Sequence, residues 1–245
     1  MPAPGNASST QALDRLIVAL DFPAAAEARD LAQRLRGTCK WVKIGLELYL
    51  AAGNAVVEEL AGLGFSIFLD LKFHDIPNTV AGAIRSASRS HASLLTVHAA
   101  GGPAMLAAAV QAARTANNPP QLLAVTVLTS MDRAQLAATG VSAAPADQVL
   151  QLGRMAQAAG IPGLVCSAEE VQMLRQQLGP DMRLVVPGIR PAGADIGDQK
   201  RVATPGAAIR AGADMLVVGR PITQASDPEK AAQSILAEIA EAIAV

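Results

Sequence analysis

The 245-residue chain is 51% hydrophobic and 17% charged, enough apolar material for a large buried interior. With only 2% aromatic residues, that interior must be built from Ala, Val, Leu and Ile. A net charge of −1 gives no electrostatic reason to bind nucleic acid or an anionic membrane. No apolar run approaches the ~18 residues of a membrane span. The opening stretch, MPAPGNASSTQALD, has no basic region followed by an apolar one, so it is no secretory signal. It reads as a flexible polar leader over 1–14, and the expected compartment is the cytoplasm. Cys39 and Cys166 have no ligand spacing and are expected to be reduced core thiols.

From Leu16 onward, short apolar, β-branched runs recur. They are LIVALD (16–21), WVKIG (41–45), SIFLDL (66–71), LLTVHA (94–99), LLAVTV (122–127), GLVCS (163–167), RLVVPG (183–188) and MLVVGR (215–220). Near-continuous hydrophobicity over about five residues marks strands covered on both faces, as in parallel sheets. Ala-rich segments with helical spacing separate them, such as AAAEARDLAQRLRG (24–37) and PAMLAAAVQAART (103–115), and several close on Gly. This alternation predicts an α/β fold, a single-domain (β/α)8 TIM barrel over 15–245, with an open doubly wound sheet as the alternative. Two connections stand out. TSMDRAQLAATG (129–140) predicts a short extra helix. GIRPAGADIGDQKRVATPG (188–206), rich in Gly, Pro and Asp, is either a mobile lid or a disordered insertion.

The polar residues fall at the ends of the strands. Asp21, Lys43, Asp70 with Lys72, His98, Thr129 with Ser130, Arg190 and Arg220 all stand at or just past C-terminal strand ends. A barrel brings those ends to one mouth, where barrel enzymes place their chemistry. Any one of them alone would pass as an ordinary loop residue; together they predict a site. Asp70 and Lys72, two apart, share a face if the strand extends that far, and could also be a structural ion pair. Asp75 precedes Pro77 and could simply cap a helix, with Thr79 on the same face of its first turn. His74 reads as a hydrogen-bonded structural histidine. His91 and His98 have no metal spacing, and no metal is expected. In VVGRPIT (217–223), backbone N–H groups beside Arg220 form a candidate phosphate site. There is no GxGxxG and no P-loop motif, which disfavours dinucleotides and nucleoside triphosphates.

These motifs resemble the orotidine 5′-phosphate decarboxylases, in their long-loop bacterial form. DLKFHDIPNT (70–79) is similar to that family's signature. The likeness continues through ALDFP (19–23), VKIG (42–45), AVTVLTSM (124–131), VCSA (165–168), PGIRP (187–191), GDQKR (197–201) and VVGRPIT (217–223). The resemblance implies decarboxylation of orotidine 5′-phosphate to UMP and carbon dioxide, the last step of UMP synthesis, without a cofactor. It implies a homodimer with shared sites. Lys43, Asp70 and Lys72 would form a charged array completed by Asp75 of the other subunit, with Lys72 the proton donor. Asp21, Lys43 and the other subunit's Thr79 would bind the ribose hydroxyls, and that subunit's Ile76 would touch the pyrimidine. Thr129 and Ser130 would address the pyrimidine edge. Gln199 would bridge base and phosphate, and Arg190, Gly219 and Arg220 would hold the phosphate. Two other readings remain at this point. A Mg²⁺-dependent sugar-phosphate decarboxylase or aldolase would keep the DxKxxD core but would not need Thr129–Ser130 or GDQ. A non-catalytic nucleotide-binding barrel would not need a proton donor.

Overall fold

A computed structural model of the chain describes residues 10–191 and 203–244. Eight parallel strands close on themselves: β1 (Leu16–Ala19), β2 (Trp41–Ile44), β3 (Ser66–Phe73), β4 (Ala92–His98), β5 (Gln121–Val125), β6 (Gly163–Val165), β7 (Arg183–Val186) and β8 (Met215–Val218). The pairing of β1 with β8, Val18 opposite Val218, shuts the barrel and rules out the open doubly wound sheet. Each strand is followed by helix. The helices are α1 (Ala25–Leu35), α2 (Leu46–Gly62), α3 (Pro77–Ala87), α4 (Gly102–Arg114), α5 (Arg133–Ala138), α6 (Pro145–Ala158), α7 (Val171–Leu178), α8 (Pro205–Arg210), α9 (Arg220–Thr223) and α10 (Pro228–Ile243). None of the described helices is long and apolar enough to cross a membrane.

The short extra helix expected after the fifth strand is α5. Asp132 starts it with a capping box: its carboxylate accepts the Gln135 N–H at 2.9 Å, and the Gln135 side chain accepts the Asp132 N–H at 3.1 Å. The expected leader is corrected at its far end. Residues 10–13 form a helical turn and Ala12 is 1% exposed, packed into the core under the barrel. A lone apolar residue carries no periodicity, so its docking left no trace in the sequence.

The side chains divide by strand alternation into two cores. Outward residues such as Val18, Val42, Leu69, Leu95 and Leu216 meet the helices in one continuous layer. Inward residues, among them Ile17, Phe68, Leu94, Leu123, Val185 and Met215, fill the barrel itself. Burying a side chain of this size stabilises the fold by about 1.5–3 kcal/mol. Space inside is tight. A Cβ on Gly163 of β6 would stand 2.5 Å from the Leu123 side chain and 3.1 Å from the Arg183 carbonyl, so this position admits no side chain without rearrangement. The same alternation that sends Phe68 inward sends Asp70 inward one step nearer the mouth, and sends Lys43 inward on β2. A plug of hydrocarbon therefore floors a charged upper layer.

Candidate active site

The C-terminal mouth of the barrel holds a cavity of about 610 Å³. Asp21, Lys43, Asp70 and Lys72 line one side, Arg190, Gly219 and Arg220 the other, with Thr129 and Ser130 after β5 between them. Val125, Val127, Val165 and Val217 supply an apolar wall. The cavity thus combines cations on β2 and β3 and just past β7 and β8 with an apolar wall, a lining suited to a flat ring carrying a phosphate.

The four charged residues on the β1–β3 side alternate in sign. Asp21 Oδ1 accepts from the Lys43 ammonium at 2.9 Å, Lys43 Nζ stands 3.6 Å from Asp70 Oδ2, and the same oxygen accepts from Lys72 Nζ at 2.8 Å. Lys43 and Asp70 are buried, whereas the side chain of Asp21 is 57% exposed. Burial alone would strip the charge from the inner pair. For Lys43, burial works to lower the pKa, but the carboxylates of Asp70 and Asp21 outweigh it and hold the ammonium above the ordinary lysine value. For Asp70, burial works to raise it, but Lys43, Lys72 and the hydrogen bonds of Lys72 and Thr96 hold the carboxyl below the ordinary carboxylate value. Both residues keep their charges because each is the other's remedy. Gly45 permits this crowding: a Cβ there would lie 3.0 Å from Asp21 Oδ1 and 3.1 Å from Lys43 Nζ.

Two-residue spacing alone does not bring Lys72 to Asp70. Pairing of β3 with β4 runs Leu69 opposite Leu95 and then Phe73 opposite Val97, so β3 spends four steps where β4 spends two. This bulge takes Lys72 out of the extended conformation, to φ 51°, and it is the one non-glycine residue with positive φ among those described. For a side chain with a Cβ that conformation costs about 1–2 kcal/mol. Strain of this kind persists where surrounding contacts impose it. Here the backbone N–H of Lys72 donates to the hydroxyl of Thr96 at 2.8 Å, and that hydroxyl donates to Asp70 Oδ1 at 3.0 Å.

Arg190 is 8% exposed and donates to the Ile189 carbonyl at 2.8 Å. Its own N–H donates to the carbonyl of Ala203 at 2.9 Å, so the described residues flanking 192–202 pair beside the cavity. Gln199, expected to bridge base and phosphate, lies outside the described residues.

Asp75, Ile76 and Thr79 do not join this cavity. All three are exposed, and Ile76 keeps 68% of its surface. The capping role weighed for Asp75 is corrected: α3 begins at Pro77, which puts the N-cap at Ile76, and Asp75 instead accepts the Ile76 N–H at 2.6 Å. His98 closes β4 but does not line the cavity. It packs against His74, with ring centroids 5.4 Å apart, and burial, then the neighbouring His74 and Lys72, favours its neutral form. Burial also pushes the Cys39 thiol up to about 12, as an inert core thiol requires. Among the described residues no cluster of three or more His, Cys, Asp or Glu is placed to hold a metal ion. Two participants escaped the sequence: Thr96, which looks like any β-former within an apolar strand, and Gln224, which lines the cavity just past α9.

Comparison with known proteins bears on what this cavity is for. The sequence profile described as the orotidine 5′-phosphate decarboxylase / HUMPS family matches residues 14–235. The chain belongs to that family. It is 52% identical over 228 residues to the orotidine 5′-phosphate decarboxylase of Halorhodospira halophila, covering 93% of this chain and 97% of that one. It is 54% identical over 224 residues to the enzyme of the same name from Anaeromyxobacter sp., covering 91% of this chain and 97% of the relative. The crystal structure of orotidine 5′-phosphate decarboxylase from Lactobacillus acidophilus superposes with a TM-score of 0.82 at 39% identity, over 92% of this chain and 99% of that one. The family match spans residues 14–235, the stretch that contains all eight barrel strands and the ion array at their mouth.

Proposed function

We propose that this chain decarboxylates orotidine 5′-phosphate to UMP and carbon dioxide without a cofactor, and that the Asp21–Lys43–Asp70–Lys72 array is its catalytic centre. The observation that carries this reading is the array itself: two ammonium groups and two carboxylates in unbroken contact at the cavity wall, in a chain about half identical to named decarboxylases.

Loss of carbon dioxide from the substrate breaks a carbon–carbon bond and leaves its electron pair in the plane of the pyrimidine. The ring π system cannot delocalise that pair, so the protein must stabilise it electrostatically. An ammonium placed where the charge develops supplies both field and proton. Lysine suits this because its charge is compact and its proton transferable, unlike that of arginine. Lys72 is the donor: its Nζ–H proton passes to the ring carbon, and the neutral amine recovers a proton from solvent after product leaves. Asp70 fixes the ammonium and, facing the substrate carboxylate, is relieved of a like charge as carbon dioxide departs. Lys43 and Asp21 address the ribose hydroxyls, and Thr129 and Ser130 the pyrimidine edge. Arg190, Gly219 and Arg220 hold the phosphate, whose binding energy, remote from the breaking bond, serves the transition state, and Gln199 addresses both base and phosphate.

The working unit in this reading is a homodimer in the cytoplasm. Its support is the placement of Asp75, Ile76 and Thr79, exposed beside the mouth rather than in their own cavity, together with the exposure of two leucines of the preceding unit, Leu46 at 50% and Leu50 at 81%. Each subunit then lends Asp75, Ile76 and Thr79 to its partner's site. Mixing Lys72→Ala with Asp75→Asn subunits regenerates some intact shared sites, and absence of any recovered activity in verified mixed dimers would count against sharing. The activity is tested by adding orotidine 5′-phosphate to the purified protein with chelator present and following loss of its ultraviolet absorbance. No loss, or loss only when Mg²⁺ is restored, would overturn the assignment.

A further inference from the structure

Thr96 stands behind the ion array on β4, with none of its surface exposed, and touches no part of the substrate in the proposed mechanism. Its hydroxyl accepts the Lys72 backbone N–H at 2.8 Å and donates its only proton to Asp70 Oδ1 at 3.0 Å. The other carboxylate oxygen, Oδ2, accepts from the Lys72 ammonium at 2.8 Å. These three bonds close a ring from the backbone of Lys72, through Thr96 and Asp70, to the side chain of Lys72.

Two observations separate this from a buried threonine that merely finds partners. The first is the bulge between Leu69 and Phe73, which takes Lys72 out of the β3–β4 ladder at φ 51°. An N–H removed from a ladder needs another acceptor, and the Thr96 oxygen is the one it has. The second is the division of labour on Asp70. Its oxygens face different donors, Thr96 on one and the lysines on the other, so rotation of the carboxylate plane breaks contacts on both sides. A valine would serve the strand and its packing as well as threonine does, but could do neither of these things.

We infer that Thr96 is the positioning residue of the array: its hydroxyl holds the Lys72 backbone in its left-handed conformation and fixes the plane of Asp70, so that the ammonium is delivered to the cavity. This rests on the proposed decarboxylation, and the two fail separately. Inactivity of the unaltered protein would sink the activity, whereas the inference is judged on variants of a protein shown to be active.

The test compares Thr96→Val and Thr96→Ser. Misplacement of a reacting group by a fraction of an ångström lowers turnover while leaving remote binding contacts intact, so Thr96→Val should lose about tenfold or more in kcat. Its KM and its affinity for UMP should stay within about threefold of the parent. Thr96→Ser, which restores the hydroxyl and lacks only a methyl group, should recover most of the lost kcat. Near-parental kcat in Thr96→Val, equal losses in the two variants, or a loss confined to KM would each overturn the inference. If Thr96→Val does not fold, the comparison passes to Thr96→Ala against Thr96→Ser. Equal kcat there, or failure of the alanine variant to fold, would make the hydroxyl a folding group and overturn its positioning role, while a gap of about tenfold would support it.

Discussion

Replacing Asp70 by asparagine tests whether the array is held together by mutual charge compensation. Lys43 Nζ lies 3.6 Å from Asp70 Oδ2, and both side chains are 11% exposed. At an effective dielectric constant of ~20, two unit charges at that separation attract by about 4–5 kcal/mol. Asparagine is nearly the same size, so packing is preserved, while the charge is lost and one of the two acceptor oxygens that serve Thr96 and Lys72 becomes an NH2 donor. Lys43 is then left with Asp21 at 2.9 Å, a partner whose side chain is 57% exposed and partly screened by water. Stranding one member of a buried pair costs about 3–5 kcal/mol, and the surviving contact to Asp21 favours the low end, about 3 kcal/mol. For a chain of this length each kcal/mol moves Tm by roughly 2–4 °C, so Asp70→Asn should melt roughly 6–12 °C below the parent near pH 7.5.

The assay is thermal unfolding at one scan rate, followed by circular dichroism. Adding Lys43→Met to Asp70→Asn removes the stranded charge, so the double variant should be more stable than the two single losses predict, by about 1 kcal/mol or more. A Tm for Asp70→Asn within about 2 °C of the parent, or above it, would refute the reasoning, because Lys43 would then not depend on Asp70 for its charge.

Lys72→Ala should lower kcat by about 10⁴-fold, the upper end of what a positioned proton donor contributes, while UMP binding by calorimetry stays measurable. Arg220→Ala removes a charge-assisted contact to the phosphate and should cut kcat/KM by roughly 10–100-fold; an unchanged kcat/KM would contradict the phosphate assignment. The pH dependence of stability follows from His98, whose folded pKa lies below the ordinary value of 6.5. Between the two values the unfolded chain binds more proton than the folded one, so stability is level above pH 6.5 on this account and falls as the solution is acidified below it. His98→Asn should flatten that fall between pH 6.5 and 5.5, and an equally steep fall in the variant would assign the effect elsewhere.

The barrel was legible because parallel strands buried on both faces must be written as apolar runs. GLVCS announced β6 although only Gly163–Val165 pairs as strand, and RLVVPG announced β7 over Arg183–Val186. The array was legible for a related reason: a charge at the end of such a run has nowhere to go but the mouth. What failed to show was whatever depends on backbone departing from its period. The spacing of Asp70 and Lys72 suggested their proximity but not the bulge that produces it. Thr96 was hidden because a threonine inside a strand is unremarkable until its hydroxyl is seen between two functional groups. Pro77 correctly marked the start of α3, but proline at the first helical position puts the cap one residue before it, at Ile76 and not at Asp75.

That last detail bears on how one segment would serve two sites in the proposed shared-site dimer. Between Phe73, the last residue of β3, and Pro77, the first of α3, the chain has three residues in which to turn from cavity to surface. Were Asp75 committed to capping α3, its carboxylate would be spent on backbone N–H groups of the first turn and less available to a ligand. With Ile76 as the cap, Asp75 accepts its neighbour's N–H through Oδ1 at 2.6 Å, and among the described residues its second oxygen accepts no hydrogen bond. Proline at the first helical position fixes φ there, and the bulge pinned by Thr96 fixes the strand end. The two anchors hold the intervening residues at a set angle, so an ammonium pointing inward and a carboxylate pointing outward stand in a defined relation. A shared site in a dimer needs that rigidity more than a self-contained one does, because an error in either subunit's segment displaces half of two active sites.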